Sequence, residues 1–275
     1  MQDITIAAVS MHARPGEIDR NLSHTESFVI RASDLGADII CFPELSLTGY
    51  SLDQPGRMAE KMPRQEILDR VIRMARERGV VLLAGFVEAL DDGKPYISQI
   101  IAGPEGLIGI YRKTHLSPQE RKLFRSGEKI EVYRHGDIRF GVQLCYEAHF
   151  PEISTVMALQ GADIIFLPHA SPRGTPEEKT RSWLRHMTSR AFDNALFIVA
   201  CNQVGRTEAG FSFPGVALAI GPDGNVMSRY AGRGENMLVA VLQAEKLKAI
   251  REHRMKYFLP NRRPDLYVDI LGKSK

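Results

Sequence analysis

The stretch "VVLLAGFVEA", residues 80 to 89, has almost no polar side chain, and it follows a charged amphipathic helix pattern, Arg64 to Arg78, that Gly79 stops. A run this apolar reads as a central strand, buried on both faces. Helix and buried strand then recur along the chain. Ile4 to Ser10 reads as a strand, and Glu17 to Leu35 as a helix with Ile18, Leu22, Phe28, Val29 and Ala32 as its apolar stripe. Ala37 to Phe42 is a second strand, while "YISQIIAG" and "LIGIYRK" around "PEG" read as a hairpin. After a polar loop from Thr114 to Lys129 come the strand "IRFGVQLC", a helix from Pro151 to Gln160 and a strand from Asp163 to Leu167. A long helix from Glu177 to Asn194 leads into the strand "ALFIVACNQ". "GVALAIGPDGNVMSRY" and "NMLVAVLQ" read as hairpin strands, followed by a helix from Ala244 to about Arg254. The alternation specifies an α/β fold. No linker, low-complexity tract or charge block divides the chain, so residues 1–275 are expected to form one domain.

One phrase occurs twice: "GADIICFPE" at 36 to 44 and "GADIIFLPH" at 161 to 169. The repeat suggests two equivalent strand positions, in two facing sheets of similar build. Its plainer source is that Gly-Ala-Asp before apolar residues is a common route from a helix end into a buried strand.

Composition removes several classes of function. With 44% hydrophobic and 25% charged residues and a net charge of +3, this is an ordinary globular chain without the electrostatic footprint of a nucleic-acid or membrane-surface protein. The N-terminus lacks a signal-peptide pattern, and no apolar stretch reaches the roughly 18 residues of a membrane span, so the expected location is cytoplasmic. Cys41, Cys145 and Cys201 form neither a disulfide framework nor a CxxC pair, which suits a reducing compartment. No HxH or CxxC ligand set points to a metal.

Chemistry in α/β proteins collects just beyond the C-terminal ends of core strands. Glu44, Lys113, Cys145 and His169 each end an apolar run. Cys145 sits between "IRFGVQL" and a helix start, a strand-to-helix turn of the kind that exposes a nucleophile. Backbone N–H groups at such a turn are expected to depress the thiol pKa and form an oxyanion hole. Cys41 and Cys201, among apolar neighbours, read as packing residues. The base for Cys145 is open at this level: His115, His149 and His169 lie near candidate loops, and Glu44 qualifies if a dry pocket raises its pKa. Lys113 could neutralise a carboxylate or thiolate, or could be a surface lysine in the pair "RK".

Taken together, "FPELSLTGY", "YRKTHL" and "GVQLCYEAHFPE" resemble, in order and spacing, the three signature segments of the nitrilase superfamily of carbon-nitrogen hydrolases. "GADIIFLP", "RAFDNALFIVACNQVG", "GPDG" and "RRPDLY" are similar to further family segments, so the resemblance covers nearly the whole chain. It implies a four-layer α-β-β-α sandwich and a triad of Glu44 as general base, Cys145 as nucleophile and Lys113 as the cation that, with the Tyr146 N–H, stabilises the tetrahedral intermediate. Glu120 matches a second glutamate that such enzymes often carry beside the triad. No cofactor or metal is implied, and a homodimer or larger assembly is, through the helices around 151–160 and 177–194 and the tail from Tyr257. One departure is Ala217, where related chains usually carry serine.

Substrate identity is less legible. The segments "YEAHF" and "HASPRGTPEEKTRSW" follow the strand ends beside Cys145, which makes Tyr146, His149, His169, Ser171 and Trp183 the candidate substrate contacts, each with a packing or loop role as its alternative. Tyr146 and Ala148 break the pattern of true nitrilases, and Glu147 and His149 break that of ω-amidase-like members, whereas "RSWLRHM" is faintly similar to N-carbamoyl-amine hydrolases. The expected activity is hydrolysis of a small linear amide or N-carbamoyl compound. A nitrile substrate is the second reading, and a catalytically silent binding or scaffold role, which an intact triad opposes, is the third.

Overall fold

Along β1 (Ile4–Ser10) the side chains alternate between two apolar layers, and that alternation sets the architecture. Ile4, Ile6 and Ala8 pack with Phe140, Ile164 and Val199 of a second sheet, whereas Ala7 and Val9 pack with Leu22 and Phe28 of a helix. A strand buried on both faces needs apolar side chains at every position, hence the unbroken runs. The structure, a computed structural model, describes residues 1–53, 55–59, 61–89, 93–267 and 269. After β1 come α1 (Ile18–Asp34), β2 (Ile39–Cys41), α2 (Pro55–Ala59), α3 (Arg64–Arg78), β3 (Val81–Glu88), β4 (Tyr96–Gly103), β5 (Gly106–Arg112), α4 (Glu120–Leu123), β6 (Val132–His135) and β7 (Ile138–Val142). The second half holds α5 (Pro151–Leu159), β8 (Ile164–His169), α6 (Pro176–Asn194), β9 (Phe197–Asn202), β10 (Gly205–Arg206), β11 (Ser212–Phe213), β12 (Gly215–Ile220), β13 (Val226–Gly232), β14 (Asn236–Leu242) and α7 (Ala244–Arg251).

Two six-stranded sheets, ordered β14-β1-β2-β3-β4-β5 and β6-β7-β8-β9-β12-β13, stack face to face. Helices α1 and α3 cover the outer face of the first, and α5 and α6 that of the second, giving the expected α-β-β-α sandwich. Each sheet reads antiparallel, parallel, parallel, antiparallel, antiparallel along its order. The repeated phrase therefore occupies equivalent places, with β2 and β8 each third in its sheet between two parallel neighbours.

The repeat has a physical cause at each letter. Gly36 (φ +77°) and Gly161 (φ +90°) take the left-handed conformation that ends α1 and α5, for which glycine carries no Cβ penalty. Asp38 accepts the Thr5 N–H at 2.8 Å while its carbonyl accepts from Val81. Asp163 does the same with Arg139, at 3.2 Å, and with Phe197. Each aspartate thus pins the starts of both flanking strands.

Three expectations need correction. "NMLVAVLQ" does not continue the hairpin: β14 leaves β13 and pairs antiparallel with β1 in the other sheet, closing the chain across both sheets. The last helix ends at Arg251 rather than about Arg254. His169 belongs to β8 itself, paired with Asn202, rather than lying beyond the strand. Of the tail from Tyr257, residues 268 and 270–275 lie outside the described residues. Among the described residues, no helix is long and apolar enough to cross a membrane.

Candidate active site

Glu44 is delivered by the loop that leaves β2 and folds back over β3. Gly85 in β3 makes this possible, since a Cβ there would overlap the Leu45 nitrogen and the Pro43 carbonyl. The loop is then fastened: Leu47 N–H donates to Gly85 O at 2.8 Å, and Gly85 N–H donates to Ser46 Oγ at 3.1 Å. Leu45 is held at φ +55°, a strained value for a leucine that turns the carboxylate into the space between the sheets. Glu44 is 1% exposed; its Oε1 lies 2.7 Å from Lys113 Nζ, and its Oε2 accepts the Ala170 N–H at 3.0 Å. Burial pushes its pKa up, the Lys113 ammonium opposes that, and the Glu120 carboxylate adds to it, so the net shift is upward.

Lys113, just past β5, is fully buried, and its ammonium reaches Glu120 Oε1 at 2.8 Å as well as Glu44. Burial disfavours its charge, but the two carboxylates outweigh that and hold it protonated. Glu120 opens α4 in a Ser117-x-x-Glu120 capping arrangement, its Oε2 accepting the Ser117 N–H at 2.7 Å. One oxygen thus fixes the turn while the other faces the lysine. An ammonium has three donors, and two are committed here.

Cys145 begins a 3-10 turn, Cys145–His149, with φ +47° on a non-glycine nucleophile candidate. The expected strand-to-helix turn is present, but the expected depressed thiol pKa is not: burial raises it, Glu44 and Glu120 raise it further, and Lys113 only partly compensates. The resting group is therefore a thiol beside two carboxylates, not a free thiolate. What holds the turn is Glu147, which sequence reading used only for comparing branches. It is wholly buried; its Oε2 accepts from Leu144 N at 2.6 Å, and its Oε1 from Thr114 N at 2.7 Å and Tyr111 Oη at 2.8 Å. One carboxylate therefore ties the residue before Cys145 to the residue after Lys113.

This chain matches the family model described as carbon-nitrogen hydrolase over residues 5–252. The chain belongs to the carbon-nitrogen hydrolase family. Curated relatives include an (R)-stereoselective amidase of Pseudomonas sp, 33% identical over 90% of this chain and 87% of the other. A nitrilase of Pyrococcus abyssi is 31% identical (96% and 99% covered), and an N-carbamoylputrescine amidase of Solanum lycopersicum is also 31% identical (98% and 95% covered). Among solved structures, a carbon-nitrogen hydrolase from Helicobacter pylori G27 superposes with a TM-score of 0.87 at 25% identity, over 99% of both chains.

In this carbon-nitrogen hydrolase the other predicted residues are spread around the Glu44, Lys113 and Cys145 cluster. His169 is 3% exposed, and its Nδ1–H donates to Leu167 O at 2.7 Å; its ring centroid lies 4.2 Å from that of Trp183, itself 3% exposed in the core. Burial keeps His169 well below the usual histidine range and so neutral. The repeat of "GADII" therefore brings its next residue, Ala170, onto Glu44 through the backbone rather than through the histidine side chain. Ser171 Oγ accepts from Lys179 Nζ at 2.7 Å. Tyr146 packs edge-on against His149 and Phe150, and the exposed His149 lies over His186 at 4.9 Å between ring centroids. Cys41 and Cys201 are buried with their sulfurs 3.8 Å apart across the two sheets, which bears out their packing role. Two more neighbours escaped the sequence reading. Tyr50, at the end of "FPELSLTGY", is pushed up by burial and by the charges of Glu120 and Glu44; Lys179 lies within electrostatic range of Cys145. Among the described residues, no group of three or more His, Cys, Asp or Glu is arranged to hold a metal ion.

Proposed function

We propose that this protein hydrolyses a small linear amide or N-carbamoyl compound through a thioester on Cys145, releasing ammonia. The observation that carries the reading is the buried Lys113 ammonium held between Glu44 and Glu120, near enough to the Cys145 thiol to oppose the rise in its pKa. Glu44 takes the Cys145 proton as sulfur attacks the carbonyl carbon. The developing oxyanion is met by the third N–H of Lys113 and by the Tyr146 N–H of the turn. Glu44 then returns the proton to the leaving nitrogen, the C–N bond breaks, ammonia departs and the acyl group stays on sulfur. A water that loses its proton to Glu44 cleaves the thioester, giving the acid and restoring the thiol. With an N-carbamoyl substrate the acid is a carbamic acid, which loses carbon dioxide to give the amine. Glu120 positions Lys113, and the raised pKa of Glu44 suits a group that takes and returns a proton in each half-reaction.

A cytoplasmic location and self-association complete the reading. Free Cys41 and Cys201 support the first, and exposed Leu159 on α5, Phe192 on α6 and Phe258 in the tail support the second. An ammonia-release screen across ω-amides, N-carbamoyl acids and amines, and nitriles tests the activity. Turnover of an amide or carbamoyl compound that disappears in Cys145→Ala is the expected result. Turnover of nitriles alone would transfer the protein to the nitrilase reading, and no turnover with any class would favour a silent scaffold.

A further inference from the structure

The loop between β8 and α6 carries a cation that the hydrolytic cluster does not use. Lys179 closes the first turn of α6, its N–H donating to Thr175 O at 2.9 Å, and it is half-buried there. Three features oppose a cation at this place. The N-terminal end of α6 carries positive dipole charge. Burial withdraws water from the ammonium, and the Arg173 guanidinium lies near enough to repel it. Against these, Lys179 Nζ has only neutral acceptors, Ser171 Oγ at 2.7 Å and Pro172 O at 3.2 Å, and among the described residues it makes no ion pair.

The cradle is rigid and sits beside the cluster. Ala170 holds Glu44 through its N–H, and the next residue, Ser171, holds Lys179. Asn202 clamps Ser171 from both sides, accepting its N–H at 2.8 Å and donating to its carbonyl at 3.1 Å. Arg173 is fixed at φ +79° with its N–H on Ser212 O at 2.9 Å, a strained backbone for an arginine that nothing in the packing of its exposed side chain requires. Lys179 lies within electrostatic reach of the Cys145 sulfur. A built cation without an anion, one residue removed from the groove that holds Glu44, asks for an anion on the ligand.

We propose that Lys179, with Arg173 behind it, receives a carboxylate of the substrate, so that the compound cleaved at Cys145 is an ω-amide or N-carbamoyl acid rather than an amine-bearing one. This rests on the amidohydrolase reading above. An ammonium has one donor left here, enough for one carboxylate oxygen, and an amine-bearing substrate would set two ammonium groups against each other.

The test uses three matched linear monoamides, ending in a carboxylate, in its methyl ester and in a primary amine, with kcat and KM from ammonia release. Wild-type protein is expected to favour the carboxylate in kcat/KM by about ten- to hundredfold, as one partly desolvated charge pair allows. Lys179→Met should erase that preference mainly through KM, lowering kcat/KM for the carboxylate by far more than for the ester, and Lys179→Arg should retain it. The Tm of each variant serves as the control for folding. Equal losses on all three substrates in Lys179→Met, a preference that survives the substitution, or a wild-type preference for the ester or amine would each overturn the proposal while leaving Cys145-dependent hydrolysis intact. Absence of ammonia release from all three in wild-type protein would instead remove the amidohydrolase reading, and this proposal with it.

Discussion

The Ala170 N–H lies 3.0 Å from Glu44 Oε2, so the end of β8 in one sheet grips the carboxylate at the end of β2 in the other. Gln203, just past β9, adds a second grip by donating its side-chain amide to the Glu44 carbonyl at 2.8 Å. A carboxylate oriented by two elements of the opposite sheet keeps its position only while the sheets stay stacked. The sandwich core and the reaction geometry are in this sense one structure, and disturbances of either sheet should register at Glu44.

Gly85→Ala tests this from the first sheet. The added Cβ meets backbone, the Leu45 nitrogen and the Pro43 carbonyl, which cannot rotate away. Overpacking of this kind costs about 1–3 kcal/mol. Because the displaced segment carries Glu44, we expect kcat to fall by at least about a hundredfold, out of proportion to the drop in Tm. Wild-type ammonia release at a reduced Tm would show that the loop adapts without moving the carboxylate.

The two aspartates of the repeat give a stability comparison. Asp38 and Asp163 each accept a neighbouring strand's N–H, but Asp163 also pairs with Arg251 Nη1 at 2.7 Å, docking α7. Asp38→Ala is expected to cost about 1 kcal/mol and Asp163→Ala about 2–3 kcal/mol, the second losing a partly buried charged partner as well. Urea denaturation of both variants measures the difference; equal costs would mean that Arg251 contributes nothing.

Much of this was legible beforehand, and the reasons differ by element. β1, α3 and β4 have the bounds their letters suggested, because apolar period and a stopping glycine are local signals. Glu44, Lys113 and Cys145 stood out because each ends a largely apolar strand pattern. β14 was misread because a strand's text does not say which of two sheets it joins. Glu147 was missed for a similar reason: its partners Tyr111 and Thr114 are distant in sequence, so spacing alone could not reveal the bonds. Lys179 lies within the charged helix start "PEEKTR" and is not distinguished there; only its neutral partners set it apart. The thiol was expected to be acidic from its turn alone, since the carboxylates packed beside it belong to other segments.

Glu147→Gln should uncouple the Cys145 turn from the Lys113 loop. An amide can still accept at one oxygen, but its NH2 then faces N–H donors, either the Leu144 N–H or those of Thr114 and His115. Leaving such buried donors unpaired costs about 1–3 kcal/mol. We expect reduced Tm and a fall in kcat with little change in KM, since the residue bonds the backbone just before Cys145 rather than the substrate. A change confined to KM would place Glu147 in the substrate pocket instead.

Glu44→Gln should separate the reactivity of the thiol from turnover. In the native protein the Glu44 charge raises the Cys145 pKa, so removing it moves the thiol down towards its ordinary range and increases the thiolate fraction at pH 8. Alkylation of Cys145 by iodoacetamide at pH 8 should therefore be no slower than in wild type, with Cys41 and Cys201 shielded by burial in both. Turnover should nevertheless fall by about 10²–10⁴-fold, because the proposed proton carrier is gone. In wild type, the base form of Glu44 is lost as pH falls through its raised pKa, so the acid limb of kcat/KM should lie above the ordinary carboxylate range. Mass spectrometry after limited alkylation, set beside the pH profile of ammonia release, reads both arms. If alkylation of Glu44→Gln at pH 8 slows in step with turnover, the loss of Glu44 as a proton acceptor outweighs the lowered thiol pKa, and the Glu44 charge does not restrain the thiol as its raised pKa implies.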